Sequence, residues 1–325
     1  MFPTNASHLT RVLSGENGVA ALRLVEEDEE EDVNEHPEPP DLAQCYKMII
    51  APVADLLEEP EIIIVPDRVF YKVPFAALQD ENEKYLSETF RIRIVPSLTT
   101  LKLIQDSPAD YHSQTGALIV GEPDVGRVYY KGYVEKFCPL PCARKEAEMI
   151  GRLVGAQPLL GEYATKQAVL QSIHSACLVH FAAHGNAERG EIALAPPCGT
   201  NGIPQEREYL LTMAEISQVQ LRAKLVILSC CHSARGDIRS EGVVGIARAF
   251  LGSGARSVLV ALWALQDEAT EQFMSRFYEP LVRGESASES LHQAMKWMRG
   301  NRYSDVGQWA PFMLIGDNVT FDFKK

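Results

Sequence analysis

Two apolar runs in this chain of 325 residues each end on a reactive side chain. Leu178-Val-His-Phe-Ala-Ala leads into His184 and Gly185, and Leu225-Val-Ile-Leu-Ser-Cys230 leads into Cys231, with small and polar residues after it. If the runs are adjacent parallel strands, His184 and Cys231 leave the same edge of one sheet, where sites lie in doubly wound α/β proteins. A thiolate attacks carbonyl carbon, but an unperturbed thiol is only about a few per cent ionised at pH 7. A neighbouring imidazole takes that proton and returns it to the leaving amine. Gly185 lets a substrate backbone come close. Its N–H, with that of Cys231, is placed to hold the oxyanion of a tetrahedral intermediate. The expected chemistry is that of a Cys231/His184 nucleophilic dyad. Against it stands the plainer reading of a satisfied core histidine and a buried thiol, the common fate of each residue type taken alone.

Strand neighbours face opposite sides, so Cys230 belongs to a helix–sheet layer if Cys231 faces the cleft, and His232 points away from it. His180 and His184 stand about 13 Å apart on a strand, too far to share a metal. Cys138 and Cys142 flank two prolines without clustered histidines, which makes zinc a poor fit. Ser233 lacks a surrounding Gly-x-Ser-x-Gly elbow. Gly252-Ser-Gly254 leads into a strand rather than a helix, failing as a dinucleotide loop, and a flavodoxin-like nucleotide site would lack any phosphate loop. Asp267 follows the strand that ends near Trp263 and has two readings. It is a carboxylate in the cleft that attracts a basic substrate side chain, or a cap or first-turn acid of the helix it opens.

The elements that must position these residues follow from hydrophobic patterning. Tyr46–Leu57 reads as helix. Glu61–Val65 and Val69–Val73 read as the two strands of a hairpin turned at Pro66-Asp67, and Phe90–Val95 as an edge or half-buried strand. Gly116–Gly121 is a buried strand. Arg144–Val154 is a helix with Ala147, Ile150 and Val154 on one face, and Thr165–His174 is another with Thr165 as N-cap. After Leu178–His184 and Leu225–Cys230 come a helix over Glu241–Leu251, a strand over Arg256–Leu262 and an amphipathic helix over Ser286–Met298 showing Ala287, Leu291, Ala294 and Met298. The strand Pro311–Ile315 then closes the sheet. Strands alternating with helices imply an α/β fold with a mostly parallel sheet covered by helices on both faces.

Composition narrows the function further. The formal charge is −13, and the run Glu26–Asp32 carries seven of the negative charges, leaving −6 elsewhere. That balance opposes nucleic-acid binding. Residues 1–40, with the acidic run and Pro37-Glu-Pro-Pro40, read as a disordered arm or linker. No apolar stretch reaches the roughly 18 residues of a membrane span, and no signal pattern opens the chain, so no membrane association is expected. Seven cysteines without a spaced framework indicate free thiols in a reducing, cytoplasmic compartment, where the Asn5 and Asn318 sequons carry no meaning. No metal or other cofactor is implied.

Several ordered segments resemble the CHAT domain, a caspase-like domain often attached to tetratricopeptide repeats. They include Ile63–Asp67, Val73–Leu78, Val95–Leu98, Leu118–Pro123, Leu159–Thr165, Phe181–Gly185, Leu228–Cys231, Ala249–Ser257, Leu262–Asp267 and Trp309–Asp317. The 47 residues from His184 to Cys231 are close to the roughly 50-residue spacing of caspases. The resemblance, spanning about residues 45–318, implies kinship with caspases, gingipains and separase. It implies an N-terminal CHAT subdomain over 45–112 and a caspase-like core over 113–320. It also implies a cysteine endopeptidase acting on protein or peptide substrates, with His184 and Cys231 as the dyad, Asp267 binding a basic residue before the scissile bond, and gating by repeats in cis or by a partner protein. The family commonly reads Leu-Ser-Ala-Cys-Glu-Thr-Gly at the nucleophile, whereas this chain reads Leu228-Ser-Cys-Cys-His-Ser-Ala234, with Arg235 added and the glycine at Gly236. That departure motivates the alternative expectation of a catalytically silent interaction module of a repeat-containing scaffold.

Overall fold

The computed structural model describes residues 42–108, 110–186, 189–199, 202–231, 240–263, 265 and 267–323. The acidic arm over 1–40 and the segment containing His232, Ser233, Arg235 and Gly236 lie outside the described residues.

Helix α1 (Leu42–Ile49) runs into a 3-10 stretch, Ala51–Leu56, so the expected helix tightens where Pro52 enters. Strand β1 (Glu61–Ile64) follows. The expected hairpin does not form. Arg68–Lys72 is a 3-10 helix, closed by hydrogen bonds from Phe70 N to Asp67 O (3.0 Å) and from Val73 N to Phe70 O (3.1 Å). The partner of β1 is instead β2 (Arg91–Ile94), parallel, with Glu61 opposite Arg91 and Ile64 opposite Ile94. Helix α2 (Leu98–Gln105) is capped by Ser97, whose Oγ accepts from Thr100 N at 3.0 Å.

Strand β3 (Gly116–Pro123) then enters the core, and β4 (Arg127–Tyr130) and β5 (Tyr133–Lys136) form a separate hairpin. Helix α3 (Pro141–Val154) buries Ala147 and Ile150 and ends on Gly155 in the left-handed region (φ 71°). Strand β6 (Leu159–Gly161) precedes α4 (Lys166–Ser172), whose N-cap is Thr165, accepting from Ala168 N at 3.2 Å.

The long β7 (Ala176–Asn186) pairs at its end with β8 (Glu191–Ala193), which pairs with β9 (Leu210–Thr212). Strand β10 (Leu225–Cys231) is followed by α5 (Ser240–Gly252), β11 (Ser257–Ala261), α6 (Asp267–Val282), α7 (Ala287–Arg299) and β12 (Phe312–Gly316). The face of α7 carrying Ala287, Leu291, Ala294 and Met298 is buried, as its 3.6-residue pattern demands.

The main sheet has the order β1-β2-β12-β11-β10-β7-β3-β6. Five strands, β11, β10, β7, β3 and β6, are mutually parallel and share a carboxyl edge. Strand β12 is antiparallel to β11 and parallel to β2, so β12, β2 and β1 run the other way. Rather than closing the sheet at an edge, β12 sits between the N-terminal pair and the rest. Strand β2 is likewise internal, and Arg93, which alternation would place toward solvent, is 6% exposed. It is tolerated there because its guanidinium meets Glu61 at 3.0 Å and Asp317 at 3.5 Å.

Helices cover both faces. On one, His180 of β7 meets Glu146 of α3 and Tyr278 of α6. On the other, Phe181 packs on Phe250 of α5, with ring centroids 6.2 Å apart. The first nine residues of β7 are buried, the signature of a strand covered on both sides.

Candidate active site

Strands β7 and β10 are hydrogen-bonded neighbours in parallel register from Leu178↔Leu225 to His184↔Cys231. The two residues singled out by type and spacing are therefore Cα partners at the carboxyl edge of the sheet. The side chain of Cys231 lies outside what the structure describes, so the pairing of the two residues is one of backbone register.

The imidazole of His184 is fully placed. It is 2% exposed. Its Nε2 lies 2.6 Å from the backbone carbonyl of Cys138. A carbonyl only accepts, so Nε2 carries a proton and donates to it. Phe137 stands edge-on to the imidazole with centroids 5.2 Å apart. Phe137 in turn packs on Tyr130 (5.8 Å) and Tyr209 (6.3 Å). The Tyr209 hydroxyl donates to Tyr129 O at 3.0 Å, and Asn186 Nδ2 donates to Tyr130 Oη. The β4–β5 hairpin and the segment after it thus form an aromatic buttress that fixes the imidazole from outside the sheet. The sequence presents Cys138 only as a thiol and hides the parts its carbonyl and the Phe137 ring play. A backbone acceptor has no side-chain signature, and only the apolar Phe137–Leu140 run hinted at a packed segment.

Gly185 is required by packing. A Cβ there would lie 2.9 Å from Cys230 Cβ. Gly185 sits opposite Ile192 in the β7–β8 pairing, one residue past His184. Cys230 Sγ lies 3.9 Å from Phe181 O, and burial, with the Glu146 carboxylate adding to it, pushes its thiol up to about 12. A thiol held so firmly protonated is a poor nucleophile. His180 is a satisfied core histidine: Nε2 meets Glu146 Oε1 at 2.8 Å and Nδ1 meets the Tyr278 hydroxyl at 3.1 Å. Asp267 is the first residue of α6, beyond the carboxyl end of β11, and its side chain is not described. Among the described residues no group of three or more His, Cys, Asp or Glu is arranged to hold a metal ion.

A cleft of about 850 Å³ opens beside this centre, bounded by the ends of β3 and β6 and by Phe137, Cys138 and Pro139.

The CHAT domain family model matches residues 39–317. The chain belongs to the CHAT domain family. It is 31% identical to tetratricopeptide repeat protein 28 of Homo sapiens and 32% identical to that of Mus musculus, in each case over 86% of this chain. The chain spans 13% of the length of either relative. Among solved structures, a chain of the Saccharomyces cerevisiae separase–securin complex superposes with a TM-score of 0.53 and 16% identity, covering 80% of this chain and 15% of that one. At that identity the likeness shows the fold, a caspase-like α/β architecture of the kind expected from the CHAT resemblance. Among the described residues, no helix is long and apolar enough to cross a membrane.

Proposed function

We propose that this CHAT domain is a cysteine endopeptidase in which Cys231 attacks the scissile carbonyl and His184 moves the proton. The observation that carries the reading is the register of β7 and β10, which makes the histidine and the cysteine Cα partners at one sheet edge. The hydrogen bond from His184 Nε2 to Cys138 O supports it, because it orients the ring at the sheet edge. The backbone N–H groups of Gly185 and Cys231 supply the oxyanion contacts. Asp267, at the head of α6, receives a basic side chain before the scissile bond. The burial of His184 to 2% supports gating by a repeat segment or partner that opens the edge, and the repeat-protein relatives make such segments natural partners.

Covalent capture tests this reading. An acyl-arginine acyloxymethyl ketone is expected to label Cys231 selectively, with labelling abolished in His184→Ala and weakened in Asp267→Ala. Indifference of the labelling to His184→Ala would overturn the dyad. A second reading, a silent interaction module, draws on the altered Leu228–Gly236 sequence and on relatives named for their repeats. It predicts a Cys231 thiol that titrates at or above the roughly 8.5 of a free cysteine.

A further inference from the structure

We propose that the cleft at the ends of β3 and β6 receives the leaving half of the polypeptide substrate, and that it selects a basic residue two to four positions beyond the scissile bond. This rests on the peptidase reading above and deepens it.

Strand order carries the argument. Along the sheet edge the parallel strands run β6-β3-β7-β10-β11. In chain order these are second, first, third, fourth and fifth, so the order reverses between β3 and β7. Such α/β sheets take ligands outside the carboxyl ends of their strands near the switch point, and the cleft lies one strand beyond it, at the ends of β3 and β6. The direction of the substrate follows from the chemistry. The sulfur–carbon bond forms as the thiol proton passes to the imidazole. The carbon–nitrogen bond then breaks, and the same proton goes from the imidazolium to the departing amine. The departing half must therefore lie on the His184 side of Cys231, toward β3 and β6. The other half lies toward β11 and the helix that Asp267 opens. Neighbouring strands are about 4.8 Å apart and an extended peptide advances about 3.4 Å per residue, so the second to fourth residues past the scissile bond reach β3 and β6.

The cleft is continuous with the site. Phe137 and Cys138, which hold the imidazole, also form its wall. Among the described residues its lining carries Glu122, Asp124 and Glu162 against one cation, Arg144, whose Nε donates to Glu122. Asp124 and Glu162 are exposed at the mouth beside the Tyr163 ring, which is 71% exposed. Leu159 and Pro123 supply apolar wall for the stem of a lysine or arginine, and Tyr163 a face for its cation. The chain's own acidic run, Glu26–Asp32, would be repelled by these carboxylates, which argues against it as the occupant.

The experiment uses the purified chain and two kinds of probe. The acyl-arginine acyloxymethyl ketone, which has no peptide beyond the reacting carbonyl, reads the dyad. Peptides identical up to the scissile bond, with either lysine or alanine at the second to fourth positions after it, read the cleft. The expected kcat/KM ratio of lysine over alanine substrate is about tenfold, as two exposed ion pairs supply. In Asp124→Lys/Glu162→Lys the ratio should fall to one or below. The equal charge change in Glu58→Lys/Glu59→Lys, at exposed positions far along the chain, should leave the ratio as it was. Labelling of Cys231 with a ratio near one, or a ratio unmoved by the cleft variant, overturns the cleft assignment alone. Absence of Cys231 labelling together with absence of cleavage overturns the peptidase reading and the cleft assignment with it.

Discussion

Replacing His180 by phenylalanine probes what holds the strand that delivers His184. Burial, with the nearby Glu146 carboxylate adding to it, raises the Tyr278 hydroxyl well above its ordinary value, so Tyr278 keeps its proton and its hydroxyl pairs with His180 Nδ1 at 3.1 Å. His180 then donates from Nε2 to Glu146, whose side chain is 3% exposed. His180→Phe leaves that carboxylate buried without its donor, at a cost of about 3–5 kcal/mol, and takes the hydrogen-bond partner from Tyr278, at about 1 kcal/mol more. A loss of about 4 kcal/mol lowers Tm by roughly 10 °C in a domain of this size. Removing the stranded charge as well, in His180→Phe/Glu146→Leu, should recover at least about 2 kcal/mol, because well-packed apolar groups can replace a buried polar pair with little loss. Thermal and urea unfolding of the two single variants and the double variant complete the cycle. If the double variant is as unstable as the sum of the singles, the pair contributes nothing specific and the argument fails.

Three further outcomes are expected. Gly121→Ala should cost about 3 kcal/mol, since its Cβ would lie 2.3 Å from Ala147 Cβ, a helix-borne atom that cannot step aside. Ala147→Gly in the same chain should restore part of the loss in urea unfolding, and no restoration would refute the contact. Because the Cys230 thiol rises from 9.0 to about 12 on folding, the unfolded chain loses that proton first, so stability should be full below pH 9 and fall from 9 toward 12. Cys230→Ala should make the unfolding free energy less steep across that window, and an unchanged slope would count against the burial of this thiol. Cys138→Ser keeps the carbonyl that holds His184, so the rate at which Cys231 is alkylated should stay within about twofold. A large change would mean that the Cys138 thiol, not its backbone, matters.

What the sequence made legible and what it concealed divide along one physical line. The strands that carry His184 and Cys231 are covered on both faces, so each appears as an unbroken apolar run, and parallel register then puts the two residues opposite each other. The N-terminal pairing was hidden because a parallel partner need not be close in sequence. Glu61–Ile64 finds Arg91–Ile94, whereas the intervening Pro66-Asp67 mimics a hairpin turn. Arg93 misleads for a related reason: alternation assigns a charge to solvent, and only the tertiary meeting of Glu61 and Asp317 allows it inside. The orientation of His184 was least legible of all, because it depends on the carbonyl of Cys138, and every residue has a carbonyl. The same consideration governs the cleft. Its acidic residues look like ordinary solvated charges in the sequence, and they acquire direction only from the strand order, which places them on the side of His184 to which the proposed cleavage sends the departing amine.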